Sequence, residues 1–471
     1  MTRPLRLAPD RLFPPEQRTR DIARALYDGV KGLPIISPHG HTDPAWFALN
    51  EPFPDPAQLL IAPDHYVFRM LYSQGVRLED LGIPTRDGTP VETDPRKIWM
   101  RFAERYHLFR GTPSRLWLDW VFAEIFGLDV QLTADTAGHY FDTIDAALRT
   151  DAFRPRALFE RFDIEVIATT ESPIDELLHH KIIQDSGWGG RVITTYRPDP
   201  VMDPEHEDFA ENVARFGELA GEDISTLDGY LRAHENRRAY FRAHGATATD
   251  HGHRNATTCT LDRADLETLY AKALLGRCSL DEADIFRGAM LVEMARMSIE
   301  DGMVLQLHPG VVRNYNDMVH SRFGRDKGAD IPAPTDYVTA LKPLLDAHGN
   351  DARLSVILFT LDEDSYSREL APLAGHYPAL KLGPPWWFND SPEGMRRFRE
   401  RVTETAGFYN TVGFNDDTRA FLSIPARHDV ARRMDCAWLA QLVADHRLED
   451  DEAHELARAL AYDLAKAAYK L

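Results

Sequence analysis

Cysteine is scarce in this chain, with three among 471 residues. Because Cys259, Cys278 and Cys436 are widely spaced and odd in number, the sequence contains neither a disulfide framework nor a cysteine-rich zinc motif. No apolar run approaches the ~18 residues that a membrane helix needs. The first residues lead to proline and charged residues rather than to an apolar signal core. We therefore expect a cytoplasmic protein that has no membrane partner.

Basic residues are too few to balance the acidic ones. Lysine and arginine total 54 against 74 aspartate and glutamate residues, which gives a net charge of −20. Nucleic acids and anionic membranes are bound by basic patches, so this charge argues against both as partners. An anionic small substrate would have to be held by particular arginines inside a local pocket.

Short apolar segments rich in β-branched residues recur along the chain, and amphipathic helical stretches lie between most of them. This alternation predicts an α/β fold, a (β/α)8 barrel whose active site lies at the carboxyl ends of its strands. A doubly wound open sheet is the alternative, but no glycine-rich phosphate loop follows the first strand. The eight predicted strands span residues 34–41, 165–170, 191–196, 245–249, 303–307, 354–359, 379–382 and 411–414.

The interval between the first two predicted strands is far too long for one helix. Residues 56–155 are rich in leucine, tryptophan, phenylalanine and arginine at helical spacing. We predict that they form a helical subdomain inserted over the mouth of the barrel, within a single domain of residues 1–471. A separate N-terminal helical domain is the alternative, and the strand upstream of the segment argues against it.

The motif His39-Gly40-His41 ends the first predicted strand. Side chains two apart on a strand point the same way, so both imidazoles face one side. Two converging neutral imidazoles suit a divalent metal such as zinc. The same spacing is also common in histidines of a turn that bind nothing. Asp417 ends the eighth strand, which adjoins the first in a closed barrel, so Asp417 can join both histidines on one ion.

Other strands also end in residues suited to a site. His308 directly follows the fifth strand, where a metal or proton-transfer site would place a histidine. Arg197 follows the third strand and Arg419 follows the eighth, and an arginine can bind a substrate carboxylate through two parallel hydrogen bonds. A surface salt bridge explains the position of Arg197 equally well.

Three further positions have two interpretations each. Asp250, in the motif Asp-His-Gly-His after the weak fourth strand, is a candidate for binding substrate, while His251 and His253 could form a rival metal pair. Trp386 ends the seventh strand and could stack on a sugar ring or pack in the core. Tyr66, in the insertion, could donate a proton, although aromatic residues in helices usually serve packing.

Together these motifs resemble those of the uronate isomerases, an outlying branch of the amidohydrolase superfamily. The motifs occur in family order over nearly the whole chain, and the ordered set is far more specific than any one of them. They are His39-x-His41, Asp64-His65-Tyr66, Thr169-Thr170 with Pro173-Ile174-Asp175, Tyr196-Arg197-Pro198-Asp199, His308-x-Gly310-x-x-Arg313-Asn314, Trp386-Trp387-Phe388-Asn389-Asp390 and Asp417-x-Arg419-x-Phe421-Leu422-Ser423.

The resemblance implies a distorted (β/α)8 barrel that holds one divalent metal, usually zinc, on His39, His41 and Asp417. It also implies an intramolecular oxidoreductase that converts D-glucuronate to D-fructuronate and D-galacturonate to D-tagaturonate, at the start of hexuronate breakdown. This chain has Ser37 where the superfamily commonly has the aspartate of Asp-x-His-x-His. Residues 245–249 contain no lysine of the kind that bridges two metals in many superfamily hydrolases. A two-metal hydrolytic centre is therefore disfavoured.

For this reaction we expect Asp417 to accept the C2 proton of the sugar and His308 and Tyr66 to move hydroxyl protons. The substrate-binding candidates are Arg197, Arg419, Asp250, Trp386 and Arg313. The alternatives are a mononuclear metal-dependent hydrolase of a small ester, lactone or amide, and a protein that binds a sugar acid without turnover. The sequence leaves open the preferred uronate, the native metal and whether the chain forms a homo-oligomer.

Overall fold

The computed structural model describes residues 3–206 and 208–471. Its centre is a parallel sheet of seven strands in the order β1-β2-β3-β4-β5-β8-β9. Most strand residues are buried on both faces, as is typical of parallel sheets covered by helices. The strands are β1 (Ile35–Ser37), β2 (Ile164–Glu171), β3 (Val192–Tyr196), β4 (Ala248–His251), β5 (Val304–Leu307), β8 (Val356–Leu358) and β9 (Leu380–Leu382), and a separate antiparallel pair consists of β6 (Val311–Val312) and β7 (Ile331–Pro332).

The prediction of a regular eighth strand at residues 411–414 was wrong. In the described part of the chain this segment pairs with β9 through one bridge, between Leu382 and Thr411. Gly413 then adopts a φ of 72°, in the left-handed region, which ends the extended conformation. The chain nevertheless returns to β1, because the backbone N–H of His41 donates a hydrogen bond of 3.0 Å to the carbonyl of Thr418. The curled sheet is therefore regular over seven strands.

Helices connect the strands and cover the sheet. Several begin with a side chain that accepts backbone N–H bonds from the first turn, followed by a proline whose missing N–H would be unpaired there anyway. Asp43, Asp55, Asp94, Thr112 and Ser391 provide these caps. The α-helices are α1 (Gln17–Val30), α2 (Pro44–Leu49), α3 (Pro56–Leu60), α4 (His65–Ser73), α5 (Pro95–Glu104), α6 (Pro113–Trp120), α7 (Ala137–Leu148), α8 (Pro155–Arg161), α9 (Leu178–Asp185), α10 (Asp199–Met202), α11 (Phe209–Ala220), α12 (Leu227–Ala243), α13 (Arg263–Leu274), α14 (Leu280–Asp301), α15 (Asp317–Phe323), α16 (Tyr337–His348), α17 (Ala371–Ala374), α18 (Pro392–Ala406), α19 (Ile424–Ala444), α20 (Asp450–Arg458) and α21 (Leu464–Ala468).

Helices α2 to α8 lie between β1 and β2 in the chain. Most of their buried apolar side chains belong to one cluster with Ile35 of β1, with Ile164 and Ile167 of β2, and with Phe421. A second cluster joins β5, β8 and β9 to helices α11 to α14 and α16 to α18. The sheet is thus packed against two sets of helices, and the loops at its carboxyl edge lie between them. Among the described residues, no helix is long and apolar enough to cross a membrane.

Candidate active site

A cavity of about 930 Å³ opens at the carboxyl ends of the strands. Every site residue expected from the sequence lines it, although they come from segments far apart in the chain. These residues are His39, His41, Tyr66, Arg197, Asp250, His308, Arg313, Trp386, Asp417 and Arg419. Parallel strands end at one edge of a sheet, and this shared edge brings the polar residues together.

His39, His41 and Asp417 form one group of potential metal ligands, with one ligand atom of each within 4.8 Å of the others. The Nε2 atoms of His39 and His41 lie 3.7 Å and 3.3 Å from Oδ1 of Asp417. Asp417 adopts a φ of 35°, an uncommon conformation for a residue other than glycine. The chain therefore turns sharply after Asp416, at the position that faces both imidazoles.

His39 also belongs to a second group, with Asp250 and His308. Nδ1–H of His308 donates a hydrogen bond of 2.6 Å to Oδ1 of Asp250, and Nε2 of His39 lies 3.9 Å from Oδ2 of the same carboxylate. In a neutral imidazole whose proton is on Nδ1, Nε2 carries a lone pair. Within the described residues this Nε2 is buried and has no hydrogen-bond partner, so it is free to bind a metal or to accept a proton.

Burial sets the protonation of these groups. It lowers the pKa of His39 to about 4, so the imidazole is neutral at pH 7. Burial alone would raise the pKa of Asp417, but His39 and a hydrogen bond from His41 outweigh it and keep the pKa below its usual range. Two imidazoles beside an ionised carboxylate are a donor set that suits a divalent metal.

A series of buried polar side chains leads from Nδ1 of His39 away from the cavity. The side-chain amide nitrogen of Gln306 lies 3.5 Å from Nδ1 of His39. The Tyr469 hydroxyl donates a hydrogen bond of 2.8 Å to Oε1 of Gln306 and accepts one of 3.2 Å from Asn415. Residues that contact the second nitrogen of a metal-binding histidine fix the orientation of its ring. The C-terminal Tyr469 thus acts on His39 through Gln306.

Arg197 also lines the cavity, where it is paired with two carboxylates. Its Nη1 is 3.0 Å from Oδ2 of Asp250, and its Nε donates a hydrogen bond of 2.9 Å to Oδ2 of Asp199. Burial would raise the pKa of Asp250, but Arg197 and His308 hold it well below its usual range. The arginine therefore orients Asp250 and remains charged.

Two more arginines face the cavity. Arg419 lies 3.4 Å from Asp326, and both side chains are partly exposed. Arg313 lies 3.0 Å from Asp330, with its guanidinium 5.3 Å from the ring centre of Trp387. Each of these guanidinium groups is thus a positive charge on the cavity wall that is paired with one carboxylate.

Trp386 and Tyr66 form aromatic parts of the wall. Trp386 is 8% exposed and packs edge to face on His308, with 4.7 Å between ring centres. Tyr66 stacks on His65 at 4.8 Å and meets Trp117 edge to face at 6.0 Å. Burial raises the pKa of Tyr66 well above its ordinary value, so its hydroxyl stays protonated. Trp386 serves packing and also lines the cavity.

Several acidic residues of the cavity were not predicted from the sequence, among them Glu171, Asp199 and Asp326. Glu171 is the last residue of β2, one position beyond the predicted strand, and burial raises its pKa to about 8. Asp199 follows Arg197 by two residues and pairs with it. Asp326 lies in an irregular loop between Gly324 and Gly328, where no strand pattern marks it. A strand prediction one residue longer would have found Glu171.

Comparison with known proteins gives concordant results over the whole chain. A family model described as glucuronate isomerase matches residues 17–469. The uronate isomerase of Phenylobacterium zucineum is 65% identical over 471 residues, which is 100% of this chain and 98% of that protein.

Solved structures show the same similarity. The crystal structure of glucuronate isomerase from Caulobacter crescentus is 60% identical and has a TM-score of 0.98, covering 99% of this chain and 98% of that one. The uronate isomerase of Thermotoga maritima is 29% identical with a TM-score of 0.91, covering 98% of this chain and 99% of that one. The fold and the length are therefore shared with both proteins.

Proposed function

This chain belongs to the glucuronate isomerase family, and on that basis we propose that its cavity isomerises D-glucuronate to D-fructuronate and D-galacturonate to D-tagaturonate. The observation that carries the proposal is the arrangement of His39, His41 and Asp417 in a cavity that arginines also line. A hexuronate needs both features, since its aldehyde end reacts while its carboxylate must be anchored. Family membership does not favour the hydrolase alternative.

The donor set of His39, His41 and Asp417 fits one divalent metal, and zinc suits two imidazoles and a carboxylate. Bound there, such an ion would supply a Lewis acid next to the C1 oxygen of the open-chain sugar. The buried Nε2 of His308 lies beside the same group, since the His39 and His308 rings stack at 5.1 Å.

Isomerisation transfers a proton from C2 to C1 of the sugar and passes through an enediolate. Asp417 is ionised and faces the reacting end, so we assign it the acceptance of the C2 proton and its return to C1. His308 would relay protons between the C1 and C2 hydroxyls through its free Nε2. Tyr66, which stays protonated, would donate a hydrogen bond to a substrate oxygen.

The carboxylate end of the sugar would lie at Arg419 and Arg313. Among the residues that the structure describes, Arg419 pairs with the partly exposed Asp326, so a substrate carboxylate can compete for it. Arg197 is already paired with Asp199 and Asp250, so in this proposal it orients Asp250 toward the sugar hydroxyls and adds positive charge. Trp386 would bound the sugar ring on the side of His308.

The helices between β1 and β2 would complete the site. His65 and Tyr66, at the start of α4, line the cavity together with residues of the strand ends. We therefore propose that residues 56–155 form an inserted helical subdomain that covers the mouth of a distorted, nearly closed (β/α)8 barrel. This cover would keep bulk water from the enediolate.

Incubation of the metal-loaded protein with D-glucuronate in D₂O tests the proposal. We expect a ketose product by NMR, with deuterium at C1 to the extent that the transferred proton exchanges with solvent. The Asp417→Asn variant serves as the control and should give no ketose. If the wild-type protein forms no ketose but cleaves a lactone, ester or amide, the isomerase assignment is wrong and the hydrolase alternative is correct.

A further inference from the structure

A further group of potential ligands, separate from the two groups that contain His39, consists of Asp199, His251 and His253. One ligand atom of each residue lies within 4.8 Å of the others, and Nε2 of His253 is 3.7 Å from Oδ1 of Asp199. None of these residues belongs to the group around His39. We propose that Asp199, His251 and His253 form a second divalent-cation site that suits zinc.

The hydrogen bonds around His251 determine which of its nitrogens is free. The Thr249 hydroxyl donates its one hydrogen to the carbonyl of Val304 at 3.4 Å. Its oxygen therefore accepts from Nε2–H of His251, at 3.1 Å. A neutral imidazole with its proton on Nε2 carries a lone pair on Nδ1. A metal-binding histidine usually has its other nitrogen fixed by a hydrogen bond in this way.

Both histidines are buried, and each has one ring nitrogen that lacks a hydrogen-bond partner among the described residues. His251 is 1% exposed and His253 is 4% exposed. Within residues 3–206 and 208–471, neither Nδ1 of His251 nor Nε2 of His253 has a hydrogen-bond partner. An unsatisfied buried polar atom is costly, and two near one carboxylate indicate a missing ligand. Burial also lowers the pKa of both imidazoles, which keeps them neutral.

Asp199 supplies the charge of the site and can serve two partners at once. Its Oδ2 accepts a hydrogen bond of 2.9 Å from Arg197, while Oδ1 lies toward His253. Ligands held tetrahedrally at about 2.1 Å from zinc lie roughly 3.4 Å apart, close to the separation of these two atoms. Asp199 lines the main cavity, so an ion can enter from there.

The position of the site links it to the reaction cavity. Gly252 separates the two histidines, and a Cβ at this residue would lie 2.2 Å from Nη2 of Arg197. The guanidinium is therefore packed directly against the backbone that joins His251 to His253. An ion on Asp199 would weaken the attraction between Asp199 and Arg197, so that the guanidinium would pair more strongly with Asp250.

Counting bound Co²⁺ in variants of the full chain tests this site. Protein freed of metal with a chelator is titrated with Co²⁺ and followed by visible absorption and equilibrium dialysis. We expect two ions in the wild-type protein, one in His253→Gln, and one in His39→Asn, which removes the imidazole shared by the two groups at the strand ends. His320→Gln, which removes another histidine whose Nε2 is buried, should still bind two.

Two results would overturn the site. One is a His253→Gln variant that binds as many ions as the wild-type protein. The other is an anomalous-diffraction map of Co²⁺-loaded wild-type crystals with density at His39 and His41 but none between Asp199, His251 and His253. The map needs no variant, so it decides the question even if His253→Gln fails to fold. The proposed isomerase activity stands or falls separately, by the D₂O experiment.

Discussion

At the scale of single residues, the site contains buried charged groups that stay ionised because other charged or polar groups lie beside them. Asp250 is buried at the base of the cavity and remains ionised because Arg197 and His308 lie beside it. The sequence identified Asp250 and Arg197 separately, since each follows a strand. It could not reveal their contact, because hydrophobic periodicity predicts strand ends but gives no distances between side chains on different strands.

Replacing Arg197 with methionine should abolish most of the activity and leave the metal in place. Methionine keeps much of the apolar stem but leaves Asp250 buried without its cation, which costs several kcal/mol. We expect kcat/KM to fall at least about 100-fold, equivalent to roughly 3 kcal/mol. Metal content should equal that of the wild-type protein. Arg254→Met, at the rim of the same cavity, is the control; equal losses in both variants would refute the role of Arg197.

Glu171 should make the stability of the protein depend on pH in an unusual direction. Burial raises its pKa to about 8, far above the 4.5 of a free glutamate, so the folded state holds an extra proton between these values. The contribution of this residue to stability therefore falls as pH rises from 5 to 8, by up to about 1.4 kcal/mol per pH unit.

Glu171→Gln tests this effect, because glutamine can still accept a hydrogen bond from Thr194 but cannot ionise. The free energy of unfolding of the variant, relative to wild type, should increase between pH 5 and pH 8. Urea denaturation at both pH values measures it. A difference that stays constant with pH would show that the carboxyl is ionised in the folded protein.

At the scale of elements, parallel strands were predictable and the loops that follow them were not. Seven of the predicted segments are strands in the structure. Each buries both of its faces, and a run of apolar, β-branched residues indicates such burial in the sequence. The eighth predicted strand ends at Gly413, because this residue has a left-handed φ that the apolar pattern does not predict. The loop that carries Asp326 has no periodic pattern, so its place beside Arg419 is set entirely by tertiary contacts.

The loop around Asp326 should compete with the substrate for Arg419. In the structure Asp326 takes the position beside Arg419 that a substrate carboxylate would need. We expect Asp326→Asn to lower KM for D-glucuronate by about twofold to fivefold, the range of a partly exposed ion pair. Asp317→Asn removes another acidic group of the cavity wall and should change KM less. A higher KM in Asp326→Asn would mean that Asp326 supports binding instead.

At the scale of the whole molecule, the order of the motifs identified the family, and the packing explains why they meet. Helices α2 to α8 share one apolar cluster with β1 and β2, so His65 and Tyr66 are held near strand ends that are distant in sequence. The sequence predicted a long helical insertion from its spacing alone. Which of its residues reach the cavity depends on how the helices pack, and periodicity does not specify that.

Removing metal should lower both activity and thermal stability. An ion that binds the folded state at 100 times its dissociation constant stabilises it by about 2.7 kcal/mol, so chelation should reduce Tm by a few degrees. Adding Zn²⁺ back should restore both properties. The double variant His41→Asn, Asp417→Asn should show a smaller change in Tm on chelation. An unchanged Tm in the wild-type protein would show that no ion is bound in the folded state.

The shared position of His39 has a consequence for stoichiometry. Its Nε2 faces both Asp417 and Asp250, but a nitrogen has one lone pair and can coordinate one ion at a time. The carboxylates on either side could bridge two metals, whereas the imidazole between them cannot. If His39 bound an ion together with Asp250 and His308, only His41 and Asp417 of the other group would remain to bind a second ion. The single imidazole shared by the two groups would therefore limit the centre around His39 to one ion at a time.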